Sequence, residues 1–220
     1  MGPYGLLIKK KKLKMRKIIT QHYTIEQKPI FDLVNQKNLS YSVKNGFDYI
    51  LNSSRRYPEK TFYWEKIAWI NELLSTTPDN SLIVYEDIDS INIGGDLVNA
   101  LPSGYDMGMV QLRGGLGGTQ KQKWFNSGVI IMKNTPEVRK FWVDVFNTNA
   151  PEDEIGIHQV LQNVNGNYEY STGKQLYSLD IEYNVWSNNL NLCKEIYIRT
   201  FHGMTIDSKI SQIQEFLKTI

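Results

Sequence analysis

Two carboxylates one residue apart, Asp87 and Asp89, close an apolar run, Leu82-Ile-Val-Tyr85. Carboxylates this close repel each other unless something positive lies between them. A divalent cation is the usual answer. Hard ions such as Mn²⁺ or Mg²⁺ take oxygen ligands and leave positions open for substrate phosphates. The pair therefore points to chemistry on a phosphorylated or nucleotide-linked substrate. The same residues also read as a solvated turn closed by an Asx hydrogen bond. A calcium loop is excluded. Counting from Asp87, the fifth and sixth positions hold Ile91 and Asn92, where an EF-hand loop needs an oxygen ligand and Gly.

The run before Asp87 suits a strand covered on both faces of a sheet. The carboxylates then fall at its carboxyl end, where open α/β sheets bind ligands. The preceding chain alternates in the matching way. A strand is expected over 17–24 and a helix over 27–45, with Phe31, Val34, Leu39 and Val43 on one face and Gly46 as its stop. A second strand follows at 47–51. A helix over 64–74 is broken by Pro78-Asp-Asn80. This order predicts an α/β fold with a mostly parallel central sheet and helices on both faces.

Beyond Asp89, residues 124–132 read as another apolar strand, entered through Asn126-Ser-Gly128, and 136–146 as a helix. Pro151-Glu-Asp-Glu154 is an acidic helix start, suited to the positive end of the helix dipole. That helix is expected to run to Val164, carrying His158 and Gln159. Residues 179–186 and 196–201 look strand-like, and 210–217 form a terminal amphipathic helix. Leu112-Arg-Gly-Gly-Leu-Gly-Gly-Thr119 fits neither a P-loop nor a dinucleotide fingerprint. A lid over a site and a plain flexible connection both suit it.

The 220 residues, 41% hydrophobic with five Trp, suit one domain with a sizeable core. We place it at 17–220, behind a basic arm at 1–16. The net charge of +2 is unevenly spread. Residues 9–17 hold seven Lys and Arg, which leaves the remainder near −5 (+2 less seven). The arm reads first as a solvated tail, with weak attraction to an anionic membrane surface as its functional alternative. The acidic body argues against nucleic acid as a partner. No stretch is apolar enough to span a bilayer, and the lysines follow the short apolar Gly5–Ile8 run, the reverse of a secretory signal. A soluble, cytoplasmic protein is expected. The single Cys193 allows no internal disulfide.

Taken in order, several segments resemble the GT-A-fold glycosyltransferases of the Asp-x-Asp type, in particular the retaining galactosyl/xylosyltransferase and glycogenin-like families. Asn45-Gly-Phe-Asp-Tyr49 resembles their "hGYd" strand start, and Trp64-Glu-Lys66 their Trp-x-Lys helix start. Val84-Tyr-Glu-Asp-Ile-Asp89 is similar to their "YlDaD" metal strand, and Phe125-Asn-Ser-Gly-Val129 to "fNsGv". His158-Gln159 stands where they often have Asp-Gln, and Phe201-His-Gly203 resembles a late "hfhG" segment. The chain departs from them in His158 and in lacking Lys-Pro-Trp after Gly203. Its short length is reminiscent of the compact capsid-sugar transferases of large algal viruses, which would make it virus-encoded.

The resemblance implies a GT-A-like single domain with a small antiparallel C-terminal part. It implies transfer of a sugar, with retention, from a UDP-sugar to a glycan or protein-linked acceptor, using Mn²⁺ or Mg²⁺. Asp87, Asp89 and His202 would hold the metal. Thr20, His22 and Tyr23 would lie near the base and ribose, and Lys66 near a phosphate. Asn126 and Gly128 would line the donor sugar, with Gln159 and Asp89 as the catalytic pair. Trp124 and Trp186 are candidate acceptor-stacking rings. Each of these residues also has an ordinary reading as turn, core or surface. Two other functions suit the same residues. One is a non-catalytic nucleotide-sugar-binding module. The other is a sugar-1-phosphate nucleotidyltransferase, though Gln21 to Lys28 lacks the glycines such an enzyme needs there.

Overall fold

The computed structural model describes residues 14–57, 61–113, 123–164, 167–185, 193–201 and 205–220. Strand β1 (Lys17–His22) leads through a short 3₁₀ turn into α1 (Lys28–Asn45), then β2 (Asp48–Asn52), α2 (Phe62–Thr76) and β3 (Leu82–Glu86). A brief β4 (Ser90–Asn92) follows, then β5 (Met107–Arg113), β6 (Lys123–Lys133), α3 (Pro136–Asn147) and α4 (Asp153–Val160). The chain ends with β7 (Gln162–Val164), β8 (Asn167–Glu169), β9 (Tyr177–Leu179), β10 (Ile198–Thr200) and α5 (Ile206–Leu217).

Six strands form the central sheet in the order β2-β1-β3-β6-β5-β9. The pairs β1–β2, β1–β3 and β5–β9 are parallel, whereas β6 runs antiparallel to both β3 and β5. Alternation explains why these strands are buried on both sides. Ile18, Ile83, Tyr85, Ile130 and Met132 pack with Trp64, Ile67 and Ile70 of α2 and Val138, Phe141 and Trp142 of α3. Their neighbours Ile19, Val84, Val129 and Ile131 join Leu97, Leu101 and Ile198 on the opposite face. Strands covered on both faces lose the apolar–polar alternation and become continuous apolar runs. The expected α/β fold with a mostly parallel sheet is the one observed, with small antiparallel pairs β4–β10 and β7–β8.

Several expectations are corrected. The buried stripe of α1 is Ile30, Val34, Asn38 and Ser42, while Leu39 and Val43 are 38% and 71% exposed. Asn38 takes a core position because its amide is needed by the backbone of β4. Its Nδ2 donates to Ser90 O at 2.9 Å and its Oδ1 accepts from Asn92 N at 2.9 Å. Gly46 does end the helix, in the left-handed region at φ 68°, where a side chain would be strained. Helix α4 stops at Val160 rather than continuing, and Gln162–Val164 turns into a hairpin with β8. Residues 181–183 form a 3₁₀ turn instead of strand. Most of the basic arm and of the glycine-dense segment lies outside the described residues. Arg16 already joins the fold, its carbonyl accepting from Leu82 N. Among the described residues no helix is long and apolar enough to cross a membrane.

Candidate active site

Three features converge at the carboxyl end of β3. The first is the Asp87-Ile88-Asp89 turn between β3 and β4. The second is an irregularity in β6. Met109 pairs with Ile130, yet the next residue, Val110, pairs with Asn126. Ser127, Gly128 and Val129 are thus extra residues opposite β5, a bulge-like irregularity that re-aims the strand. It brings Gly128 O to within 2.8 Å of Asp87 N, so β6 clamps the turn. The third is the start of α4, where Asp153 and Glu154 face the bulge.

Lys66 binds these parts together. Its ammonium lies 3.1 Å from Asp87 Oδ1, 2.7 Å from Asp153 Oδ2, 3.1 Å from Ser127 O and 3.0 Å from Ser127 Oγ. Burial alone would push the lysine pKa down. The carboxylates of Asp153 and Asp87 outweigh it and raise the pKa well above the ordinary value. With four oxygen partners Lys66 holds Asp87 from beneath. The sequence places it at a phosphate; the fold makes it the hub of this buried cluster.

Glu154 is a carboxylate that the sequence does not single out from the others of the acidic helix start. Its Oε1 accepts from Asn126 Nδ2 at 2.8 Å and Ser127 N at 3.2 Å, and its Oε2 from Trp124 Nε1 at 2.8 Å. Burial, reinforced by the Asp153 charge, raises its pKa to about 7 despite these donors. Asn126 is fixed at both ends, since its Oδ1 accepts from Gly128 N at 2.9 Å and from the Asn184 amide. Gln159, one turn further along α4, is exposed, and the residue bonded to Asn126 is Glu154. His158 is structural. Its Nε2 accepts from Phe125 N at 3.0 Å and its ring stacks on Trp124 at 3.9 Å between centroids. Burial lowers its pKa to about 4, so the ring is neutral at neutral pH. Trp124 is thereby occupied on one face.

The β1 residues divide. Thr20 is fully buried, its hydroxyl donating to Ile50 O at 2.8 Å and accepting from Trp69 Nε1 at 2.9 Å. Both its bonds are made inside the sheet. His22 is also buried, with Nδ1 3.1 Å from Asn52 Nδ2 and Nε2 without a partner among the described residues. Burial, partly opposed by Glu65, lowers its pKa to about 4. Tyr23 is half-buried and stacks on Phe31 at 4.5 Å, nearly parallel at 4°. Glu86 and Gln21 underlie the turn. Gln21 Nε2 donates to Asp87 O at 3.0 Å, and Glu86 Oε2 accepts from Asn92 Nδ2 at 2.7 Å.

Asp89 Oδ1 is buried with no hydrogen-bond partner, and Asp87 Oδ2 makes no hydrogen bond among the described residues. Two such carboxylate oxygens flanking one turn fit a hard divalent cation. Among the described residues no third His, Cys, Asp or Glu completes a metal-holding group. His202 lies outside the described residues, as does Trp186. The other carboxylate oxygen of Asp89, Oδ2, pairs with Lys209 of α5, a contact the sequence does not signal.

No family model and no curated protein sequence matches the chain. Solved structures do share its fold. A glycosyltransferase involved in the glycosylation of the major capsid of PBCV-1 has a TM-score of 0.67 at 12% identity, over 92% of this chain and 100% of that one. The galactosyltransferase LgtC, solved with donor and acceptor sugar analogues, has a TM-score of 0.55 at 10% identity, over 92% and 95%. The glycosyltransferase GlyE of Streptococcus pneumoniae TIGR4 has a TM-score of 0.54 at 12% identity, over 93% of this chain and 65% of that one. At these identities the likeness is one of fold: the chain has a GT-A glycosyltransferase fold.

Proposed function

We propose that this protein transfers a sugar, with retention, from a UDP-sugar to a hydroxyl of a glycan or protein-linked acceptor. One observation carries the reading: on a GT-A fold, the Asp87–Asp89 turn follows β3 with a carboxylate oxygen on each aspartate that has no hydrogen-bond partner among the described residues, and it is clamped by Gly128 O in the irregular part of β6. Transfer breaks the bond between the sugar's C1 and the diphosphate, and negative charge grows on the leaving group. A divalent cation, Mn²⁺ or Mg²⁺, held by Asp87 and Asp89 with His202 as an imidazole donor, would supply Lewis-acid stabilisation of that charge.

The chain's own residues orient the donor. Lys66 and Gln21 fix the position of Asp87 from two sides. Gly128 lets the backbone approach the sugar closely. Asn126 presents an amide whose orientation is set by Glu154 and Gly128. We assign to Glu154, in place of Gln159, the position beside the reacting sugar carbon, because Glu154 is the residue bonded to Asn126 and Ser127. The neighbouring solved structures are glycosyltransferases by description, which supports transfer chemistry in general.

Calorimetric titration with a UDP-sugar panel, in Mn²⁺ and then in chelator, tests the donor site. Metal-dependent binding of UDP with one sugar preferred is the expected result, followed by transfer of that sugar with its anomeric configuration kept. Binding that ignores metal and yields neither transfer nor hydrolysis would instead make the protein a sugar-nucleotide-binding module.

A further inference from the structure

Both aspartates of the turn already hold an ammonium group: Asp87 shares Lys66 with Asp153, and Asp89 pairs with Lys209. A divalent ion arriving at Asp89 gains less while Lys209 pairs with that carboxylate, because the two cations repel each other. Tight metal binding at Asp89 therefore requires one lysine to withdraw.

The two lysines differ in how firmly they are held. Lys66 has four oxygen partners and only 7% side-chain exposure, so its withdrawal would strand a buried ammonium and two carboxylates. Among the described residues Lys209 has a single partner, Asp89 Oδ2, and its side chain is 20% exposed. It is also the fourth residue of α5, close to the positive end of the helix dipole, where a cation is disfavoured. Its stem can swing towards water at small cost. The rest of α5 does not depend on it. Ile213 anchors the helix against Ile30, Val34, Ile91 and Phe201.

We propose that Lys209 is a tethered cation that shares Asp89 with the divalent ion. It neutralises the buried carboxylate when the ion is absent and leaves it when the ion binds, so that the first turn of α5 reports the state of the metal site. This rests on the metal-dependent reading above and adds a competitor built into the chain. Asp89 Oδ1, buried and unpartnered, is the oxygen through which the exchange begins.

The test is a Mn²⁺ titration of the full chain without nucleotide, on the wild type, Lys209→Met and Lys209→Arg. Lys209→Met is expected to bind Mn²⁺ about three- to tenfold more tightly, the scale of a partly exposed charge pair. Lys209→Arg keeps the charge and should bind as the wild type does. Hydrogen exchange on the wild type gives a second reading that needs no variant: Mn²⁺ should raise exchange in the first turn of α5 and leave the turn around Ile213 unchanged. Equal or weaker Mn²⁺ affinity in Lys209→Met, or no change at α5, overturns the proposal. Either result leaves the transfer reading intact, which the UDP-sugar titration judges separately.

Discussion

Lys66 Nζ sits 2.7 Å from Asp153 Oδ2 and also pairs with Asp87, joining the start of α4 to the Asp87–Asp89 turn. Ser127 Oγ donates to the same carboxylate oxygen at 2.6 Å, so the pair is hydrogen-bonded as well as charged. Breaking a buried pair costs more than the pair contributes, because the surviving charge has no partner. Lys66→Met is expected to lose about 3–5 kcal/mol of stability. Combining it with Asp153→Asn should recover part of that loss, as the second change removes a stranded charge. Urea unfolding of both single variants and the double variant measures the coupling. Additive losses would mean that the two residues act independently.

Glu154 should control the pH dependence of transfer. Three donors favour its charged form, and Asn126 needs that form as its acceptor. With a pKa of about 7, the carboxylate fraction rises through neutrality, so kcat/KM should climb to a plateau above that pH. Glu154→Gln keeps one acceptor oxygen but sets an amide against Trp124 Nε1, and its profile should be lower and flat in this range. A Glu154→Gln profile that keeps the limb near pH 7 would assign the limb to another group. Stability shows the opposite slope. The folded state holds this proton more tightly than the unfolded chain, so the contribution of Glu154 falls as pH rises from 4.5 to about 7.

These residues show what a linear reading can and cannot reach. Strand β3 and its two aspartates are legible because burial on both faces leaves an unbroken apolar run that ends abruptly in charge. Helix α3 is legible for a related reason, since Val138, Phe141, Trp142 and Val145 repeat at helical spacing. Glu154 is not singled out from its acidic neighbours, because acidic residues at a helix start already have a sufficient local explanation in the helix dipole. Only the β6 bulge, a pairing property, reveals that it faces Asn126. Strand β4 is three residues long and two of them are polar, so it carries no periodic signal. Asn38 occupies a stripe position where the pattern calls for an apolar residue, and its reason lies in β4, 52 residues away at Ser90. The Lys209–Asp89 contact spans 120 residues and has no local trace.

Acid should weaken the fold through two histidines. Burial holds His22 and His158 at pKa values of about 4, below the ordinary 6.5. The unfolded chain therefore binds more protons between these limits, and stability is fully present above pH 6.5 and declines as pH falls towards 4. His158→Phe preserves the stack on Trp124 but leaves Phe125 N without its acceptor, at a cost of about 1–3 kcal/mol. It should also flatten part of the acid limb. Thermal unfolding from pH 7 to 4 checks both effects. A wild-type limb unchanged in His158→Phe would place the titration elsewhere.

Asp89→Ala separates site from scaffold. The variant removes the buried carboxylate and releases Lys209, whose partial exposure lets the ammonium turn to water. Folding should survive with little change in the urea midpoint. Transfer should fall by about 10²-fold or more, the scale seen when a group that stabilises transition-state charge is removed. Near-wild-type turnover in a folded Asp89→Ala protein would remove Asp89 from the reaction.

Asn38 offers the sharpest test of how the fold holds the turn. Its amide satisfies Ser90 O and Asn92 N, both directly after Asp89, and its Nδ2 lies 3.3 Å from Gln21 Oε1. Asn38→Leu suits the apolar stripe of α1 by volume but strands a buried carbonyl and a buried N–H. Each orphaned group costs about 1–3 kcal/mol, so a loss of roughly 2–6 kcal/mol is expected. Asn38→Asp keeps the acceptor for Asn92 N and loses the donor to Ser90 O, while placing a charge near Glu86, so it should not rescue. Since β4 leads directly out of the Asp89 turn, UDP binding should weaken in Asn38→Leu even where the protein remains folded. Calorimetry on the folded fraction decides the point. Unchanged UDP affinity would mean that the β6 clamp at Gly128 and the Lys66 hub hold the turn without help from α1.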